Sequence, residues 1–153
     1  MEWTRESRYK KYSEWDAETL LKLQAQATAS KYQMSYHIRP QSGLLNDPNG
    51  FSYFNDEYHV FYQSYPFGAV HGLKSWVHLT SPDLVHWKNL GLAINADTKY
   101  DSHGAYSGSA RVIDDKLFLM YNNCNLNTFY FLYLLIIFLT WISLIPYFIE
   151  ISL

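Results

Sequence analysis

Asn46-Asp47-Pro48-Asn49-Gly50 is the densest chemical feature of the sequence. An ionised aspartate on a backbone held tight by Pro48 and Gly50 can be aimed as a nucleophile at an anomeric carbon. Retaining hydrolysis of a glycoside needs such a carboxylate, with a second carboxyl roughly 5–5.5 Å away as acid/base. Taken alone, the pentapeptide serves equally well as a turn, because Asn, Asp, Pro and Gly are the ordinary vocabulary of turns. Other chemistries are weaker. The six histidines include no metal-protease pair, Cys124 alone cannot build a zinc site without other ligand types, and no glycine loop suited to phosphate is present. No metal or organic cofactor is expected. His78 and His86 fall in expected strands, where local hydrogen bonds are the simpler role.

Twelve Lys and Arg against 14 Asp and Glu leave a net charge of −2, so nothing points to a nucleic-acid footprint or a basic membrane patch. The single cysteine excludes an intrachain disulfide. Met1-Glu2-Trp3-Thr4-Arg5 lacks an apolar signal core, so a cytoplasmic location is expected.

The elements that must position Asp47 are legible around it. Ser13-Glu14-Trp15-Asp16 reads as a helix start, and Ala17, Leu20, Leu21 and Gln24 follow helical spacing, predicting a short amphipathic helix from Ser13 to Ala29. Residues 1–35 form an N-terminal extension carrying that helix. His37 to Gly50 is expected as a loop, punctuated by Pro40, Gly43, Pro48 and Gly50. Three hairpins follow: Phe51–Phe54 with Tyr58–Tyr62 about Asn55-Asp56-Glu57, Ser75–Thr80 with Leu84–Leu90 about Ser81-Pro82-Asp83, and Ser107–Ile113 with Lys116–Tyr121 about Asp114-Asp115. Fourteen Tyr, nine Phe and five Trp suit such strands. The fold class is all-β, and the local pattern leaves propeller and sandwich both open.

Five motifs in one order decide between them. His37-Ile38-Arg39-Pro40-Gln41-Ser42-Gly43-Leu44-Leu45 leads into Asn46–Gly50. Phe61-Tyr62-Gln63-Ser64-Tyr65-Pro66, Ser75-Trp76-Val77-His78, Ser81-Pro82-Asp83-Leu84-Val85-His86-Trp87 and Asp101-Ser102-His103-Gly104-Ala105-Tyr106-Ser107-Gly108-Ser109-Ala110 follow. Together they resemble glycoside hydrolase family 32, from about Tyr9 to Tyr121. The resemblance implies a five-bladed β-propeller, no cofactor and a small sugar as partner. It implies Asp47 as nucleophile, with Asn46, Gln63, Trp76 and Ser107 lining the fructose pocket and Tyr106 beside Ser107. Asn and Gln offer both donors and acceptors to vicinal hydroxyls, and Trp76 offers an apolar face, although a core position is its commoner fate. His71-Gly72-Leu73-Lys74-Ser75-Trp76 is similar to the branch that cleaves sucrose 6-phosphate, with His71 a substrate contact and His71 or Lys74 able to meet a phosphate; invertase or fructan hydrolase is the alternative. Asp83 reads as a turn residue.

Two further acids of the family, in an Arg-Asp-Pro and a Glu-Cys motif, have no match in this sequence. At roughly 40–45 residues per four-stranded blade, residues 36–121 hold about two blades, and hydrolysis by this chain alone is not expected. After Lys116 the only charged residue is Glu150, and Phe129 to Ile149 carries no charge. Residues 122–153 are therefore expected to be an apolar tail outside the fold, the product of a frameshift or truncation. A membrane anchor over 129–149, on a non-catalytic remnant, is the alternative.

Overall fold

The computed structural model describes residues 2–34, 36–99, 101–123 and 148–151. Chain order is α1 (Arg5–Arg8), a 3₁₀ turn (Tyr12–Glu14), α2 (Ala17–Thr28), then β1 (Leu44–Phe54), β2 (Glu57–Tyr65), β3 (Ser75–Ser81), β4 (Lys88–Ile94), β5 (Ala105–Ile113), β6 (Lys116–Asn123) and β7 (Phe148–Ile151). Strands β1 to β4 form an antiparallel meander in sequence order, and β5-β6-β7 form a second antiparallel sheet. The chain is thus all-β with a small helical N-terminal segment.

Two of the expected hairpins close on two-residue turns. Asn55 and Asp56 have φ of 49° and 60°, and Asp114 and Asp115 have 49° and 56°. Asn and Asp tolerate this left-handed region, which matches the twist of the flanking strands. Glu57, expected in the first turn, already belongs to β2. The third hairpin is longer, because Asp83 organises the link. Its carboxylate accepts from the backbone N–H of Val85 (2.9 Å) and His86 (2.8 Å), from Ser81 Oγ (3.1 Å) and from His86 Nδ1 (2.7 Å). These bonds, those of His86 foremost, hold the carboxyl well below the usual carboxylate range.

β2 and β3 are buried on both faces. Phe61 and Trp76 join Ile94, Ala105, Leu117 and Leu119 in a core between the two sheets. Val60, Tyr62, Val77 and Leu79 form a second core on the opposite face, packed against Ile38, Leu45 and Trp87. Burying a side chain such as Phe61 contributes roughly 1.5–3 kcal/mol.

The helix begins later than expected. Asp16 caps α2 by accepting from Glu18 N (3.2 Å), whereas Ser13 lies in the 3₁₀ turn. That turn delivers Trp15 onto Phe67, stacked at 4.2 Å and 10°. Tyr12 places its hydroxyl 3.0 Å from the carbonyls of Ser64 and Leu73. The N-terminal segment is therefore packed on the C-terminal end of β2. Leu20, expected on the packing face, is half-buried, but Leu21 is exposed.

The apolar tail lies mostly outside the described residues. Of the expected anchor over 129–149, only 148 and 149 are described, and they belong to β7, which pairs Phe148 with Met120 and Ile151 with Leu117. That strand is part of a sheet, contrary to a tail wholly outside the fold. Among the described residues no helix is long and apolar enough to cross a membrane.

Candidate active site

The Asn46–Gly50 motif is not in a loop, as expected, but inside β1. What the turn-forming residues do instead is bend the strand. Asn46 faces Gln63 and Pro48 faces Tyr62, leaving Asp47 as an extra residue with no partner on β2. A second register shift falls between Asn49 and Ser52, around Gly50. Bulges of this kind re-aim a side chain and tolerate Pro and Gly where a regular ladder does not. Asp47 has φ of 43° and Gly50 of 56°. A Cβ on Gly50 would meet Phe61 Cδ2 at 2.9 Å and Ala110 Cβ at 3.2 Å, so glycine is what lets β1 lie this close to β2 and β5. The bulge leaves Asp47 exposed, while Asn49, two residues on, is buried.

Asn49 fixes the bulge. Its Nδ2 donates to the Asp47 carbonyl at 2.6 Å, and its Oδ1 accepts from Gly108 N at 2.8 Å. One buried amide thus ties the backbone of Asp47 to β5, next to Ser107.

The side chains at Asp47 form one hydrogen-bonded row. Ser107 Oγ donates to Asp47 Oδ2 (3.2 Å), Gln63 Nε2 donates to Ser107 Oγ (3.0 Å), and Asn46 Nδ2 donates to Gln63 Oε1 (3.0 Å). The row ends at Lys74, whose Nζ donates to Asn46 Oδ1. Lys74, which the resemblance offered as able to meet a phosphate, is only 2% exposed. Burial pulls its ammonium pKa down and the Asp47 carboxylate acts in the opposite sense.

Asp47, Asn46, Gln63 and Ser107, picked out in the sequence, thus converge; three expected neighbours do not join them. Trp76 was expected to present an apolar face to a pocket, but its ring is fully buried in the inter-sheet core, 5.8 Å from Phe61 and 6.0 Å from Tyr121. Its position on β3, opposite Gln63, puts it on the face that the second sheet covers. Tyr106 turns its hydroxyl to the His103 carbonyl (3.2 Å) rather than to Asp47. His71 is exposed, and its carbonyl accepts from Arg8 Nη1 at 3.5 Å. Sequence reasoning missed Asn49 and the burial of Lys74. Two concavities, of about 850 and 450 Å³, lie elsewhere, the first lined by Arg5, Tyr9, Lys10 and His103 and the second by Gln24, Arg39 and Trp87. The Asp47 row is the better candidate, because it runs donor to acceptor through four side chains and ends on one exposed carboxylate. Among the described residues no cluster of metal-ligating side chains is present.

Residues 37–128 match the model of the glycosyl hydrolases family 32 N-terminal domain, more than half of the sequence. The chain belongs to that family. It is 61% identical over 121 residues to a sucrose-6-phosphate hydrolase of Pediococcus pentosaceus, covering 79% of this chain and 24% of the relative. A solved sucrose-6-phosphate hydrolase from Lactobacillus gasseri superposes with a TM-score of 0.79 at 67% identity, over 81% of this chain and 25% of that one. A Bombyx mori family 32 β-fructofuranosidase mutant solved in complex with sucrose gives a TM-score of 0.61 at 36% identity, over 69% and 22%. This family 32 chain therefore spans about a quarter of the length of the relatives it matches.

Proposed function

We propose that this chain supplies the nucleophile-bearing quarter of a retaining β-fructofuranosidase acting on sucrose 6-phosphate or sucrose, with Asp47 as the nucleophile. The single observation that carries the reading is the Asp47 carboxylate, pushed out of β1 by a bulge and met by the Ser107–Gln63–Asn46 row. Asp47 attacks the anomeric carbon of the fructosyl group, and the bond to the glycosidic oxygen breaks. An acid/base carboxyl from sequence beyond the matched quarter protonates that oxygen, then takes a proton from the water that releases fructose. From sucrose 6-phosphate the leaving group is glucose 6-phosphate. Asn46, Gln63 and Ser107 line the fructose side, where amides and a hydroxyl can both donate and accept. Tyr106 and His71, which stay outside the row, are further substrate contacts in this reading. Trp76, the register partner of Gln63 on β3, has a core role in this reading. A five-bladed propeller, with these two sheets as parts of its first two blades, belongs to the same proposal. So does a cytoplasmic location, which the single cysteine fits.

The experiment is a chimera joining residues 1–121 to the remaining three quarters of the Pediococcus pentosaceus relative. Turnover of sucrose 6-phosphate above that of sucrose and inulin is expected. Preference for inulin would replace the substrate assignment, and an inactive, folded chimera would remove the reading.

A further inference from the structure

We infer that Lys74 is a positioning residue that sets the direction of the hydrogen-bonded row, so that its last donor, the Ser107 hydroxyl, points at Asp47. The inference rests on the reading of Asp47 as nucleophile only for its catalytic consequence. The direction of the row follows from donor and acceptor chemistry alone.

A primary amide can be turned over, exchanging its oxygen for its nitrogen with little change in shape, and a hydroxyl can rotate. Asn46, Gln63 and Ser107 therefore form a row with two self-consistent states. In one, Asn46 Nδ2 donates to Gln63 Oε1, Gln63 Nε2 donates to Ser107 Oγ, and Ser107 gives its one proton to Asp47. In the other, both amides are turned over, Ser107 donates back to Gln63, and Asp47 loses its donor. A charge at the end of the row decides between them. An ammonium has donors only, so Asn46 must present Oδ1 to Lys74, and every later choice follows. At the far end a carboxylate accepts only, and the two charges bias the row the same way. Bonds aligned head to tail in a dry environment also strengthen one another.

Lys74 is held in place for this. Its carbonyl accepts from Ala105 N at 2.8 Å, at the start of β5. The preceding residue, Leu73, donates from its N–H to the Arg8 carbonyl at 2.8 Å. Gly104 lies against the stem, where a Cβ would approach Lys74 N to 3.1 Å and Lys74 Cβ to 3.4 Å. Lys74 and Gln63, the two partners that flank half-buried Asn46, are 2% and 1% exposed, so water reaches neither of them readily. An ammonium sunk this deeply is costly unless it has partners, and the partners here are Asn46 and the nearby Asp47 charge.

The test uses two readouts. In the 153-residue chain, side-chain amide signals of Asn46 and Gln63 are followed by nitrogen–proton NMR, with the Trp76 indole signal as a report on the fold. Lys74→Met is expected to speed exchange of those amide protons by about tenfold or more, and Lys74→Arg, which also only donates, to restore most of the protection. In the chimera, Lys74→Met is expected to lower kcat by about tenfold or more while KM moves less than about threefold, again with rescue by Arg. Wild-type exchange in Lys74→Met overturns the inference, as does an Arg variant as impaired as the Met variant. Should Lys74→Met lose the Trp76 signal, Lys74→Gln, neutral and able to accept, takes its place with the same expectations. An inactive parent chimera removes the functional reading alone, and the amide exchange still decides the role of Lys74.

Discussion

Replacing Asn49 with alanine removes the buried side chain that ties the backbone of the bulge at Asp47 to the second sheet. Two hydrogen bonds disappear, to the Asp47 carbonyl at 2.6 Å and from Gly108 N at 2.8 Å. Each is worth a net ~0.5–1.5 kcal/mol, and leaving a buried partner unpaired costs ~1–3 kcal/mol more. The methyl group cannot reach either partner, and Asn49 is only 5% exposed, so water replaces the lost bonds poorly. The expected loss is about 2–4 kcal/mol of the ~5–15 kcal/mol typical of a folded domain. With a urea dependence of ~2 kcal/mol per molar, the middle of the usual range, the unfolding midpoint followed by tryptophan fluorescence falls by about 1–2 M. Gln26→Ala, on the exposed face of α2, is the control and moves stability by less than ~0.5 kcal/mol. An Asn49→Ala midpoint indistinguishable from wild type would refute the claim that this amide holds the two sheets together at Asp47.

Two further outcomes follow from the same region. Gly50→Ala forces a left-handed residue and a methyl group 2.9 Å from the Phe61 ring, which is itself stacked on His78 at 4.3 Å; it should lower stability by about 2–4 kcal/mol in the same urea assay. His59 Nε2 meets the Phe54 carbonyl at 2.9 Å, an acceptor only, so its Nδ1 is the acceptor for His78 Nε2 at 2.9 Å. Burial, and then the neighbouring His59, hold His78 down to about 4 from an ordinary 6.5. A folded-state pKa below the unfolded one gives stability that is complete above pH 6.5 and is lost as pH falls through 4. The urea midpoint of wild type should therefore drop over that window more steeply than that of His78→Gln; parallel profiles would contradict it.

How much of this was legible in the sequence depended on how local the cause was. Turns at Asn55-Asp56 and Asp114-Asp115 are set by residues that tolerate positive φ, and they stand where the composition puts them. The start of α2 was misplaced by three residues because Ser13 and Asp16 are both competent caps, and only the stacking of Trp15 on Phe67 decides which one is used. β2 and β3 are buried on both faces, so Phe61-Tyr62 and Trp76-Val77 show no polar alternation by which to assign a face. That is why Trp76 could be read as a pocket wall. Asn49 looked like a turn residue because its partner, Gly108, is 59 positions away. The burial of Lys74 was not legible because the tie that holds it comes from Ala105, at the start of β5. Of the residues that come together, Asp47 was open to a chemical reading of its own motif, whereas Asn46, Gln63 and Ser107 were legible only through the family resemblance, since no spacing rule joins position 46 to position 107.

The central claim, that Asp47 is the nucleophile, is tested most directly by trapping the covalent intermediate. The chimera, with its acid/base glutamate replaced by glutamine so that breakdown of the intermediate is slow, is incubated with an activated fructosyl substrate, digested and weighed peptide by peptide. The peptide containing Asp47 should gain the mass of one fructosyl group, and Asp47→Asn should abolish the gain. A fructosyl group on any other carboxylate, or undiminished turnover in Asp47→Asn, would contradict the account.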